Sequence, residues 1–168
     1  PRGAGLPYVM YPGKTASGVD MVTANCLGCH ASFLQGKLVI GLGEVSVDFA
    51  MEGTADSVAM AGLMVSGDER AEVARMASRM RALEKIKTRS AGANPADHIA
   101  AVLFAHRDPK TLAWSDEPLI PVEGEAIPVD VPAWWLLKKK SAMFHTGAGR
   151  GDQARIMMTA SVLCVDDV

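Results

Sequence analysis

The sequence predicts a mostly α-helical domain with long loops and one short β-hairpin. Three observations carry this expectation. Apolar residues recur at three- and four-residue spacing in several stretches that begin with helix-start signals. Only residues 34–49 show weak alternation, around a Gly41-Leu42-Gly43 turn. Glycine and proline number 16 and 9 in 168 residues, so much of the rest is loop.

Taken in order, residues 1–16 are rich in glycine and proline and read as an irregular lead-in, with Tyr8 and Met10 as packing points. Ser17-Gly18-Val19-Asp20 has the form of a capping box, and Val19, Val22 and Cys26 share a helical face, so a helix is expected up to Asn25. In residues 34–49, Val45, Val47 and Phe49 fall on one face of the hairpin. Residues 55–65 predict a short helix whose stripe is Met60, Leu63 and Met64. Ser66-Gly67-Asp68-Glu69 is a second capping box and opens a helix over 69–87, with Val73, Met76, Met80 and Leu83 inward. Asn94-Pro95 starts another helix, with Ile99, Val102 and Leu103 facing the core. Residues 107–132 hold five prolines and form an extended connector. A helix is expected from Val131 to Lys140, and a last one over 151–164.

The composition is that of one ordinary globular domain, 49% hydrophobic and 21% charged. A net charge of −2 lacks the basic excess of a nucleic-acid binder. No apolar run reaches the ~18–20 residues of a membrane span. The first residue is Pro1 and the last are Asp166-Asp167-Val168, so the expectation is a processed or excised piece of a longer protein. Residues 1–168 then form a single domain.

The most informative feature is Cys26-Leu27-Gly28-Cys29-His30. C-x-x-C-H is the attachment pattern of c-type haem. Thiols at i and i+3 lie on one helical face and can add across the two vinyl groups of the porphyrin. The histidine that follows places imidazole under the iron. Gly28 lets the backbone come close to the macrocycle. A thioredoxin-like dithiol would want a strand before the motif in a βαβ setting, and a zinc site would want further ligands, for which Cys164 alone is a poor source. The cofactor expected is one covalent haem c, with Cys26, Cys29 and His30 holding it. Such haem is attached outside the cytoplasmic membrane, so a periplasmic or otherwise exported location is expected.

The second axial ligand sets the chemistry, since Met raises the reduction potential and an open position admits ligands. His98 and His106 read as surface or capping histidines. Met60, Met64, Met76 and Met80 read as core. His145, Met157 and Met158 remain as candidates, and adjacent helical positions point about 100° apart, so only one of the two methionines faces the iron. Trp134 and Trp135 read as core or haem-edge packing. Lys138-Lys139-Lys140 reads as a solvated helix end, with docking to an acidic partner as the functional alternative.

Val131-Pro132, then Phe144-His145-x-Gly147, then a helix carrying Met resembles the haem domains of the bacterial di-haem cytochrome c peroxidase family. The resemblance implies a cytochrome c-like helical haem domain. It places the axial methionine of the electron-transfer domain at Met158, with Met157 or His145 as alternatives. Trp134-Trp135-Leu136-Leu137 replaces the family's L-R-N, Thr146 stands where the family has Asp, and this chain has one haem motif where the peroxidases need two. The resulting expectation is a one-electron carrier with His/Met-ligated iron that serves redox partner proteins. The competing one is the haem domain of a multi-haem peroxidase- or oxygenase-like enzyme with an open or His-ligated iron.

Overall fold

β-Branched residues decide the first part of the chain. The computed structural model describes residues 5–50, 52–122, 125, 129–143, 147 and 149–152. Strand β1 (Met10–Lys14) pairs antiparallel with β2 (Asp20–Ala24), Met10 opposite Ala24 and Lys14 opposite Asp20. The helix expected to end at Asn25 is therefore a strand. Val22 and Thr23 suit a pleated surface better than a helix, and burial along β2 alternates with a period of two. Thr15 and Ser17 serve the hairpin turn: the Thr15 hydroxyl accepts from the Val19 amide, and Gly18 takes a φ of +87°.

Helix α1 (Leu27–His30) follows β2 and runs without a loop into β3 (Ala31–Leu34), which pairs antiparallel with β4 (Lys37–Ile40). The hairpin turn is Gln35-Gly36, both at positive φ, and not Gly41-Leu42-Gly43, which comes after β4. A third pair joins β5 (Ala142–Met143) to β6 (Gly149–Arg150). Three two-stranded antiparallel sheets thus share the described residues with the helices, and the fold is mixed α/β rather than mostly helical.

The middle helices follow the sequence pattern closely. Helix α2 (Thr54–Ala61) continues into a 3-10 turn, Gly62–Met64, and α3 (Gly67–Leu83) and α4 (Ala96–Ala105) come next. Leu83, Ile86, Val102 and Leu103 form the buried core, with Met80, Ile99 and Trp114 packed against it. Met60, Leu63 and Met64 are not core: they are 63%, 71% and 89% exposed. The chain packs there through small residues instead. Ala55 is buried, and Gly62 comes so near Val73 that a Cβ would sit 3.1 Å from its methyl.

The proline-rich connector is tied back to the helices. Arg107 bridges to Trp114, and Asn94 bridges to Val129. His106, read as a surface or capping histidine, is the C-cap of α4 but is buried and not at the surface: its ring stacks on Trp114 at 4.9 Å and its Nδ1 lies 2.8 Å from the Ser115 carbonyl. Residues 134–139 form a 3-10 helix and not the expected α-helix. The expected last helix, 151–164, lies almost wholly outside the described residues.

Candidate functional site

The haem-type motif occupies α1 and its N-cap. Cys26 has helical backbone angles, and the Cys29 and His30 amides both donate to the Cys26 carbonyl. Cys26 and Cys29 are thus one turn apart on a helical face. The turn is clamped by Asn25, whose Oδ1 accepts from the Leu27 amide at 2.8 Å and whose Nδ2 donates to the Tyr8 carbonyl at 2.9 Å. The Asn25 amide also donates to the Val9 carbonyl. One asparagine therefore joins the motif to the chain entering β1.

Downstream, the backbone closes on the motif. The Gly41 amide donates to the His30 carbonyl at 2.7 Å, and the Glu44 amide to the Cys29 carbonyl at 2.9 Å. The Trp134 amide donates to the Gly41 carbonyl at 2.9 Å. This brings the Trp134 ring to 5.2 Å from the His30 ring, at a tilt of 33°. Gly41, at φ +85°, has Trp134 where a Cβ would point, and Gly43 has the Val131 carbonyl there.

His30 borders a cavity of about 350 Å³, whose walls include Asn94, Val131, Pro132, Leu137 and Met143. Asp97, Asp130 and Lys140 stand at the same cavity. Burial is the main influence on the imidazole and lowers its pKa, and the Pro132 carbonyl opposes it. His30 Nδ1 is buried with no partner at full hydrogen-bond geometry. A lowered pKa favours the neutral ring, the form that offers a nitrogen lone pair to a metal.

Cys26 and Cys29 are free thiols. Burial pushes the Cys29 pKa up, Asn94 opposes this, and the neighbouring Cys26 and Glu44 add to it. Cys29 is therefore not an activated thiolate. The motif does follow a strand, but that strand belongs to an antiparallel hairpin and not to a βαβ unit. Among the described residues, no three His, Cys, Asp or Glu side chains converge as a metal cage. Haem carries four equatorial nitrogens of its own and asks the protein for only one or two axial ligands, so this donor set fits it. Two thiols on one turn and a histidine at a partly apolar cavity are the parts that covalent attachment uses.

No family model, curated protein or solved structure matches the chain.

The structure brings together Cys26, Cys29, His30 and Trp134. Trp135, next to Trp134, is 56% exposed and does not line the cavity. His145, Met157, Met158 and Cys164 lie outside the described residues. Asn25, Asn94, Gly43 and Met143 were not singled out from sequence. An asparagine just before a helical motif is a capping signal that would have found Asn25. Asn94 and Gly43 carry local signals only for a helix start and a turn, and with Met143 they reach the site only through the fold.

Proposed function

We propose that this chain is a haem c domain that carries single electrons, with Cys26 and Cys29 as the thioether residues and His30 as the proximal ligand. The observation behind this reading is the arrangement of α1: both cysteines on one turn, and the next residue a half-buried histidine, its Nδ1 enclosed, at the wall of a cavity. When bound, the haem supplies a one-electron iron couple. The protein's part is to hold the His30 backbone through the Gly41 amide, to pack Trp134 beside the His30 ring, and to line the cavity with Val131, Pro132, Leu137 and Met143. Trp134 then packs beside the proximal ligand. The distal ligand in this reading is a methionine. Met143 lines the cavity that His30 borders. Met158 is the position the family resemblance indicates. Attachment outside the cytoplasmic membrane makes the domain periplasmic or exported, and its partners redox proteins. No helix among the described residues is long and apolar enough to cross a membrane.

The test is to produce the protein in a host that matures c-type haem and to record oxidised and reduced spectra after denaturing extraction. Covalent haem that is lost in the Cys26→Ser/Cys29→Ser double variant supports the reading. A low-spin spectrum indifferent to cyanide and carbon monoxide supports electron transfer. A high-spin iron that binds either ligand and turns over peroxide supports the peroxidase-like alternative. The sulfur-to-iron band in the red should vanish in either Met143→Ala or Met158→Ala, which assigns the distal residue. No covalent haem in the parent protein ends the proposal.

A further inference from the structure

The 3-10 helix Trp134–Lys139 has two different sides. In a 3-10 helix, side chains at i and i+3 eclipse. Trp134 and Leu137 therefore share one edge, and both meet the site: Trp134 against the His30 ring, Leu137 in the cavity wall. Trp135 shares the second edge with Lys138, and Leu136 shares the third with Lys139. All four of these side chains are exposed, Trp135 at 56% and Leu136 at 43%. Lys138 and Lys139 form no ion pair with a described residue. A chain of net charge −2 thus concentrates positive charge beside an exposed tryptophan and leucine. Exposed Trp is the residue type most enriched at binding hot spots, and a charged rim steers a partner of opposite sign.

We infer that Trp135, Leu136, Lys138 and Lys139 form a docking surface for an acidic one-electron redox protein, placed so that electrons cross through Trp134 on the His30 side. The electron-transfer purpose rests on the haem reading above, whereas the docking itself does not. Trp135 and Leu136 supply the apolar contact. The two lysines supply the attraction that selects an acidic partner. Trp134, one residue from Trp135, touches the His30 ring, so a docked partner is separated from the iron ligand by one packed indole. With a haem held by Cys26, Cys29 and His30, each transfer would pass one electron between it and the partner's redox centre. The donor is oxidised, the acceptor is reduced, and no covalent bond forms or breaks. The surface charge raises the encounter rate, and the effect fades as salt shortens the range of the field.

The experiment has two arms. In the first, the Trp135 indole N–H resonance, assigned with Trp135→Phe, is followed by NMR while poly-L-glutamate is added at low salt. The resonance should shift, and should cease to shift in Lys138→Glu/Lys139→Glu but not in Lys110→Glu, a charge reversal at an exposed loop lysine. No shift, or equal loss in Lys110→Glu, overturns the docking surface. In the second arm, the reduced haem protein is oxidised by anionic hexacyanoferrate(III) and by cationic tris(phenanthroline)cobalt(III). The double charge reversal should slow the anion by about tenfold at low salt and speed the cation, with both effects collapsing near 1 M salt. Unchanged rates in both overturn the electron route even if poly-L-glutamate binds. A protein that acquires no haem refutes the haem reading and with it the electron route, and the first arm still decides the docking surface.

Discussion

Gly43→Ala is the sharpest probe of how the site is held. A Cβ on Gly43 would stand 2.0 Å from the Val131 carbonyl oxygen, 3.0 Å from its carbon and 3.1 Å from the Val131 Cβ. A carbon normally meets an oxygen at roughly 3.3–3.6 Å, so the carbonyl must retreat by more than about 1 Å. Gly43 is not at positive φ, so the penalty is steric and owes nothing to backbone preference. The atom in the way is backbone and has no rotamer to swing aside. Val131 is held on both sides: the Asn94 amide donates to the Val129 carbonyl at 2.9 Å, and the Trp134 amide to the Gly41 carbonyl at 2.9 Å. Overpacking costs about 1–3 kcal/mol, and losing one of these bonds adds about 1 kcal/mol. The expected loss is about 3 kcal/mol, or roughly 6–12 °C in melting temperature for a chain of this size. Urea unfolding followed by circular dichroism and by tryptophan fluorescence measures it. Gly28→Ala is the matched control, because no atom from beyond its own helical turn lies within 4 Å of its Cβ position and it sits inside α1. In the haem-free chain it should be neutral or stabilising by up to about 1 kcal/mol. A Gly43→Ala protein within about 0.5 kcal/mol of the parent would refute the close approach of Val131 to the segment that carries the motif.

Asn25→Ala removes both the acceptor for Leu27 and the donor to Tyr8, and should cost about 2 kcal/mol in urea unfolding; Asn25→Asp keeps the acceptor and should recover about half. Acid should destabilise the fold. Glu44 is held below the ordinary carboxylate range first by the Ser46 hydroxyl, Glu72 by the Ser17 hydroxyl and then Arg75, Asp108 by the Thr111 amide, and Asp116 by the Ser78 hydroxyl. Each folded-state pKa is depressed, so the contribution is fully present above about pH 4–5, the unfolded carboxylate range, and is lost as pH falls through it toward the folded values. The urea midpoint should drop between about pH 5 and pH 3, and less steeply in Glu44→Gln and Glu72→Gln. His106→Phe keeps the stack on Trp114 but loses the bond to the Ser115 carbonyl, and should cost about 1 kcal/mol against about 2–3 for His106→Ala, as read from thermal melts.

Where a helix carries its own signals, the sequence is readable. The spacing of Met80 and Leu83, of Ile99, Val102 and Leu103, and the acidic first turn of α3 all lead to the observed helices and core. The same reasoning misplaced β1 and β2. Val19, Val22 and Cys26 satisfy a helical spacing, and Pro12 argues against a strand, yet Pro12 pairs with Val22 in a two-stranded ribbon. A ribbon of five-residue strands is set by its partner strand, and window-based spacing does not sense that partner. Met60 and Met64 failed for a related reason: an apolar stripe shows what a helix could bury, but the close approach of Gly62 to Val73 decided which face it did bury.

The sequence by itself determined that two thiols and an imidazole share one turn, because the spacing of Cys26, Cys29 and His30 is a local property of that turn. Only the tertiary structure decided the environment of that turn. The indole of Trp134 beside the His30 ring, the Asn94 side chain near Cys29 and Met143 at the cavity wall all come from residues more than sixty positions away. Their placement depends on two backbone bonds through Gly41 and on a glycine at 43 small enough to admit the Val131 carbonyl. Such contacts are set by how distant segments pack, and no local pattern in the sequence encodes them.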